Sequence, residues 1–392
     1  MSESDRLLAD GRALQRRGLL SSAELIDLQT SLASATCPSD AVRARVSSLL
    51  VHDLNATVDR VRQQRNEREQ TPVGVADVAA AAAGGAIGAL SAYMWPPTAA
   101  ARPTLWTSAV DAAVATAAAA KHQRRVQPLR LQLVSGNAAA CRHVVLCISG
   151  FMSARADATR QWRAWTADDR PDVAVFVVQW AAGDAAAWDA FGGRVATSSA
   201  AELLAHVAGN PWHCAQGQAE QVGALLAHVA AARPALWRDR TLSLLGHSLG
   251  GAVVYSALQA MAAWRPPHSS DNDPMPCVAN AVSFAGAFVV PEGRAARDRV
   301  TAALDPRGGT FVNVYSSRDS VLSQLFGLLQ LQRPTAATTA AGGRPLAFDA
   351  PHCVDVDVSD LVAPSVDNHF GHSYAHVMDA IRTRVRPHLF HL

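Results

Sequence analysis

The chain predicts an α/β fold: a mostly parallel sheet with helices on both faces, preceded by an α-helical N-terminal region. Three observations carry this reading. From Arg142 onward, short β-friendly apolar runs alternate with segments whose apolar residues recur at helical spacing. The runs RHVVLCISG and DVAVFVVQW are apolar nearly throughout, as strands covered on both faces are. Residues 1–72, by contrast, set apolar residues among mixed charges at helical spacing.

Taken in order, residues 1–72 form the helical region. SSAELIDLQTSLASA opens on an N-cap serine with Glu24 near the first turn, and DAVRARVSSLLVHDLNATVDRVRQQRNEREQ continues the pattern. Two readings stand: a separate unit or helical pair that binds a protein partner, or a layer packed on the main domain. Residues 73–125 are rich in Ala and Gly, and the 18 residues from Val78 to Trp95 carry no charge. That length just reaches what a bilayer span requires, although Ala and Gly insert less readily than Leu or Ile. A second Ala-rich run, Ala112 to Ala120, follows prolines 96, 97 and 103 and leads into the basic cluster 121–125. A membrane hairpin with its basic end at anionic head groups, and two buried helices packed through small residues, both fit.

Residues 126–392 are the expected α/β domain. Its strands are Val144 to Ser149, DVAVFVVQW, Thr241 to Leu245, CVANAVSFAGA, Phe311 to Tyr315 and Val354 to Val358. Helical patterns cover ARADATRQWRAW, residues 183–206, GQAEQVGALLAHVAAA, the segment from Leu249, SVLSQLFGLLQL and GHSYAHVMDAIRTRV. The stretch PTAATTAAGGRP reads as a flexible linker or flap.

The strand Thr241–Leu245 and the helix from Leu249 flank Gly246-His247-Ser248-Leu249-Gly250, a G-x-S-x-G pentapeptide. A serine on so tight a strand-to-helix turn is strained, and side chains two residues away on either side would clash, so glycines stand there. A helix beginning behind the serine directs N–H groups toward an oxyanion. His247 reads as packing beneath this turn.

Serine needs a base, and the base an acid to hold it. On such a fold the chain order is Ser, acid, His. Asp319 stands just past the strand Phe311–Tyr315, and His372 follows Gly371 at the start of the last helix. Asp355, Asp357 and Asp360 compete with Asp319 but lie close to the expected histidine. His352, His369 and His376 compete with His372; Gly371 favours His372 by supplying a loop that can aim it inward. The spacing of His369, His372 and His376 imitates a metal-binding face, but no paired carboxylate motif accompanies it, so no metal is expected. The second oxyanion donor is expected from the loop after Val144–Ser149, as the N–H of Phe151 or Met152, beside that of Leu249.

A net charge of +2 gives no case for nucleic acid. Six scattered cysteines without CxxC or zinc spacing argue for reduced thiols in a cytosol-facing protein, and the polar start MSESDRLLADGR is unlike a secretory signal.

The segments ISGF, VVQW, GHSLGG, NVYSSRDSVLSQLF and DVDVSDLV…GHSYAHVMDAI together resemble domain-of-unknown-function family 726. These are α/β-hydrolase-like proteins that include the transmembrane and coiled-coil domain-containing proteins. The resemblance covers roughly Val144 to Val385, with a small-residue apolar stretch upstream that is less hydrophobic here than is usual in the family. It implies a serine hydrolase, lipase-like and near membranes, with Ser248, Asp319 and His372 at the family's Ser, Asp and His positions. The expected activity is hydrolysis of acyl esters or lipids at a membrane surface through an acyl-enzyme, without a cofactor. Acyl transfer differs only in the acceptor. Pro334–Pro345 and Trp188–Trp212 are candidate lids. The competing reading is a membrane-trafficking or scaffold protein that keeps the fold without the chemistry.

Overall fold

The computed structural model describes residues 2–34, 38–68, 125–154, 157–166, 170–183, 186, 211–263, 277–291, 293–326, 339–362 and 372–390, without the side chains of 158, 324, 325, 372 and 373. Seven strands form one sheet: β1 (Arg130–Ser135), β2 (His143–Ile148), β3 (Val173–Gln179), β4 (Thr241–His247), β5 (Val278–Phe284), β6 (Thr310–Tyr315) and β7 (Cys353–Asp357). Their order is β1-β3-β2-β4-β5-β6-β7. β1 runs antiparallel to β3, and every other neighbouring pair is parallel. This mostly parallel sheet with its helical N-terminal region is the expected α/β-hydrolase-type architecture. β2 and β5 are buried along their whole length, and β2 after His143 is accordingly apolar throughout, while β5 also buries Asn280 and Ser283.

The antiparallel edge strand β1 was not expected from the sequence. RLQLVS alternates polar and apolar residues, and only Leu131 is fully buried. An edge strand half open to solvent lacks the continuous apolar signal that marks the inner strands.

Nine α-helices are described: α1 (Glu3–Arg16), α2 (Ser22–Ser34), α3 (Asp40–Arg68), α4 (Ala158–Gln161), α5 (Arg163–Thr166), α6 (Pro211–Ala232), α7 (Leu249–Ala263), α8 (Arg294–Ala303) and α9 (His372–Val385). Capping boxes open α1 and α2: the Ser2 and Ser21 hydroxyls accept the N–H of Asp5 and Glu24, whose carboxylates accept in return.

Helices α1 and α3 pack on the α/β domain through specific polar contacts, and α2 packs against α1. The Arg240 side chain, fully buried, donates to both carboxylate oxygens of Asp10 at 3.2 and 2.8 Å. It also donates to the carbonyls of Cys141 and Leu236, while Arg6 donates to those of Ala140 and Cys141. The Asn55 amide pairs with the backbone of Leu131, accepting its N–H and donating to its carbonyl, both at 3.0 Å. α3 thereby covers part of the sheet edge that β1 would otherwise leave unpaired.

Among the described residues, no helix is long and apolar enough to cross a membrane. Almost all of the 73–125 segment lies outside the described residues.

Candidate active site

Ser248 links β4 to α7 with φ +55°, in the left-handed region that non-glycine residues rarely occupy. Its backbone is held firmly there. Its N–H donates to Phe284 O at 2.9 Å, and its carbonyl accepts the N–H groups of Gly251 and Ala287 at 2.9 and 3.0 Å. A Cβ on Gly246 would lie 2.2 Å from Gly250 O, and one on Gly250 would lie 2.0 Å from Ile148 O. Both glycines are therefore required by backbone contacts that no side chain can relieve. This is the geometry of a nucleophile elbow.

The loop after β2 abuts the serine. A Cβ on Gly150 would come within 2.6 Å of Ser248 Cβ and 3.2 Å of its Oγ. Two tryptophans brace the loop: Trp162 Nε1 donates to Ser149 Oγ at 3.0 Å, and Trp180 Nε1 to Ser149 O at 3.1 Å. The Met152 N–H donates to Ala182 O at 3.0 Å, an alternative commitment that leaves Phe151 as the candidate second oxyanion donor. Leu249, the other expected donor, begins α7, where first-turn N–H groups have no acceptor within the helix. Phe151, Trp212 at the start of α6 and Phe326 form an edge-to-face aromatic row, with ring centroids 5.2 and 6.2 Å apart.

Asp319 follows β6 and is fully buried. Its Oδ1 accepts the N–H groups of Val321 and Leu322, both at 3.1 Å, at the head of a π-helical turn, Val321–Leu325. Its Oδ2 accepts the Tyr374 hydroxyl at 3.0 Å. Tyr374 lies in the first turn of α9, two residues after His372, and its ring sits 5.2 Å from that of His247. Burial, and next the Asp319 charge, push the Tyr374 hydroxyl well above the ordinary tyrosine range, so it stays protonated and donating. The buried acid, the residue before the elbow serine and the start of α9 thus meet around one tyrosine. The backbone of His372 opens α9, and its side chain lies outside the described residues.

The competing residues stand elsewhere. Asp355 accepts the Asn313 amide at 2.8 Å and the N–H groups of Leu346 and Ala347, anchoring the chain before β7. Asp357 caps Ser359, and Asp360 pairs with Arg384 at 2.5 Å. His376 is exposed on α9, His352 is half-buried before β7, and His369 lies outside the described residues. Among the described residues, no group of His, Cys, Asp and Glu side chains could hold a metal.

One expected lid is corrected by its packing. The end of Pro334–Pro345 is a 3-10 turn, Ala341–Gly343, with Ala340 and Ala341 buried. Ala341 and Gly342 donate to Phe288 O and Gly286 O, and Gly342 O accepts from Ser316, so this end is stitched into the core and cannot swing. Residues 334–338 lie outside the described residues. Of the other candidate lid, Trp188–Trp212, only Pro211 and Trp212 are described, as the start of α6 with Trp212 buried.

Tyr374, Trp162 and Trp180 were not anticipated as site residues. The proximity of Tyr374 to His372 in GHSYAH was the available signal; the tryptophans offered none beyond their position near the expected strands.

The resemblance read from the sequence is borne out. The family model described as "Protein of unknown function (DUF726)" matches residues 199–386. The transmembrane and coiled-coil domain-containing protein STS1 of Oryza sativa subsp. japonica is 33% identical over 151 residues, 38% of this chain and 20% of that protein. An uncharacterized membrane protein of Schizosaccharomyces pombe is 28% identical over 159 residues, 41% of this chain and 24% of its own length. The chain therefore spans a fifth to a quarter of the length of these curated relatives. Among solved structures, a thermophilic esterase of the planctomycete Thermogutta terrifontis aligns at 12% identity with a TM-score of 0.28, covering 67% of this chain and 88% of the esterase.

Proposed function

We propose that the chain is a serine carboxylic-ester hydrolase, esterase- or lipase-like, acting on acyl esters of lipids at a membrane surface. The single observation that carries this reading is Ser248 at φ +55° on an elbow whose two flanking glycines admit no Cβ. Residues held in that sparsely populated region cluster at active sites, and this one sits at a strand-to-helix turn closed by two obligatory glycines, which supports a use for it.

In the proposed reaction Ser248 Oγ attacks the acyl carbonyl carbon while His372 takes its proton. Asp319 orients His372 and stabilises the imidazolium. The N–H groups of Leu249 and Phe151 bind the oxyanion. The carbonyl reforms as the C–O bond to the alcohol breaks, and His372 returns its proton to that leaving alkoxide. Water, deprotonated by His372, then attacks the acyl-enzyme, which releases the acid and regenerates Ser248. The aromatic row Phe151–Trp212–Phe326 beside the oxyanion loop supplies an apolar surface of the kind an acyl chain needs. The membrane setting draws on the relatives, both named as membrane proteins. A protein partner bound through α1–α3 is a further part of the proposal.

Labelling with a fluorophosphonate probe tests the reading. The wild-type protein is expected to label, and Ser248→Ala is not. His372→Ala abolishes ester turnover, while His376→Ala, altering an exposed side chain, retains most of it. An unlabelled wild-type protein, or equal labelling of Ser248→Ala, sinks the hydrolase reading and leaves a scaffold that keeps the fold.

A further inference from the structure

The ladder between β5 and β6 ends at the pair Phe284 and Val314, and the two chains then lead to different parts of the candidate site. After β5, residues 285–287 run beside the elbow, where the Ala287 N–H meets Ser248 O. After β6, residues 316–319 lead to the buried acid. The 3-10 turn Ala341–Gly343 stands between these two loops.

The peptide group joining Gly286 to Ala287 is bonded on both sides. Its N–H donates to Ser248 O at 3.0 Å, and its oxygen accepts the Gly342 N–H at 2.9 Å. Gly342 O accepts the Ser316 N–H at 2.9 Å, and Ser316 O accepts the Asp319 N–H at 3.3 Å. An unbroken run of backbone hydrogen bonds therefore connects the residue of the elbow serine to that of the acid. Its links are planar peptide groups rather than rotatable side chains. Ser248, Gly286, Ala287, Ser316, Asp319 and Gly342 are all buried, where such bonds are stronger than in water and polarise one another.

Two backbone features hold this run in place. Ala285 has φ +47°, in the left-handed region that is strained for a residue with a Cβ, while its N–H still reaches Val314 O at 3.0 Å. The chain thus bends sharply as it leaves β5. Gly342 fits against that bend: a Cβ on it would lie 2.2 Å from both the carbonyl carbon of Ala285 and the nitrogen of Gly286. Ala341 fixes the turn to the same loop by donating to Phe288 O at 2.8 Å. The steps proposed for Ser248, His372 and Asp319 do not use the strain at Ala285. A loop that must reach the elbow on one side and Gly342 on the other does.

On the hydrolase reading of the site, we propose that Gly342 is a positioning residue, whose two peptide groups set the separation of Ser248 and Asp319. It touches no reacting atom. It acts through the loops that carry the nucleophile and the acid.

The test measures turnover of p-nitrophenyl butyrate by the full chain, with kcat and KM separated. In Gly342→Ala the new Cβ forces loop and turn apart, and kcat should fall about 10-fold or more with KM changed less than about 2-fold. Val58→Ala, a buried truncation on α3, should lower the melting temperature yet keep kcat within about 2-fold of the wild type. The decisive comparison places Gly342→Ala in an Asp319→Asn background. With no carboxylate left to position, the glycine change should cost less than about 2-fold of the residual turnover. Circular dichroism melts confirm that each variant is folded. Should Gly342→Ala not fold, Gly286→Ala takes its place, because the nearest contacts of its Cβ are side-chain atoms of Ser283 and Phe288 rather than backbone. Its expected loss is about 3-fold or more, again abolished beside Asp319→Asn. The positioning role is overturned if Gly342→Ala keeps the wild-type kcat, if Val58→Ala loses as much, or if the full loss persists beside Asp319→Asn. A wild-type protein with neither turnover nor fluorophosphonate labelling overturns the hydrolase reading and the positioning role together. A wild type that labels, with a loss that persists beside Asp319→Asn, overturns the positioning role alone.

Discussion

Ser243 within strand β4 and Ser248 just beyond its end stand five residues apart, and the contrast between them shows what makes one a candidate nucleophile. Ser243 has the more familiar partner. Its Oγ lies 2.8 Å from His143 Nε2, inside the sheet, with the Asn280 amide donating to it at 2.8 Å. Ser248 has the more demanding backbone. Ser243 is a mid-strand residue in register with Val145 and Asn280, covered on both faces, with no helix beginning behind it. Ser248 stands beyond the last β4 residue, strained, behind the glycine loop of β2 and at the head of α7. A short serine–histidine hydrogen bond is thus a packing solution within β4. Just beyond its end, backbone strain and a helix N-terminus are what a nucleophile requires.

The largest expected effect separates the two serines. Ser248→Ala should lower ester turnover by about 10⁴-fold or more, the scale lost when a nucleophile is removed. Ser243→Ala should label with fluorophosphonate like the wild type. It should cost about 1–3 kcal/mol of stability in urea titration, because the His143 and Asn280 groups bound to its hydroxyl are left buried with less to bond. Folded Ser243→Ala that fails to label would erase the distinction between the two serines.

The second test strikes the elbow without touching a reacting atom. In Gly250→Ala the new Cβ meets Ile148 O at 2.0 Å, a backbone atom that cannot turn aside. Forcing β2 and α7 apart should destabilise the fold by about 1–3 kcal/mol or more and cut labelling strongly. Gly150→Ala, whose Cβ would press on Ser248 itself at 2.6 Å, should cut labelling with a smaller loss of stability. If both variants label at the wild-type rate, the tight elbow is not what presents the serine.

How much of this was legible in the sequence follows from range. The elbow is a local device: strand, pentapeptide and helix are contiguous, so Gly246, Ser248 and Gly250 announce it. The place of Asp319 after β6 follows from strand order. Strand β1 stayed hidden because an edge strand buries one face only, and RLQLVS resembles many exposed segments. The commitment of the Met152 N–H to Ala182 O depends on where the chain goes after β3, which a pattern of residue types does not encode. The stitched 3-10 turn at Ala341–Gly343 misled for a related reason. A run of Ala, Thr and Gly reads as flexible, yet small residues are also what a tight approach to the chain at Ala285 demands; a Cβ on Gly342 would lie 2.2 Å from the carbonyl carbon of Ala285. The docking of α1 is also long-range: Asp10 and Arg240 are 230 residues apart.

The smallest effect bears on the tyrosine that joins Asp319 to α9. Tyr374→Phe removes one of the three described hydrogen bonds to the Asp319 carboxylate and leaves the two backbone donors in place. A hydrogen bond to a charged group contributes about 1.5–3 kcal/mol, and we expect turnover to fall by about 10-fold with KM little changed. The sign of the pH effect distinguishes positioning from simple loss of packing. With one donor fewer, the carboxylate charge is less satisfied and attracts a proton on the neighbouring imidazole more strongly. In the proposed mechanism the base His372 then holds its proton to higher pH, so the acidic limb of the kcat/KM profile moves upward. Asn280→Ala supplies the contrast at the other end of the sheet. It loses bonds to Ser243, to both backbone groups of Phe390 and to Thr310, so it should destabilise the protein more than Tyr374→Phe does. It should nevertheless leave the acidic limb where it was. A limb that stays fixed in Tyr374→Phe, or moves equally in Asn280→Ala, would make the tyrosine a packing residue and remove it from the site.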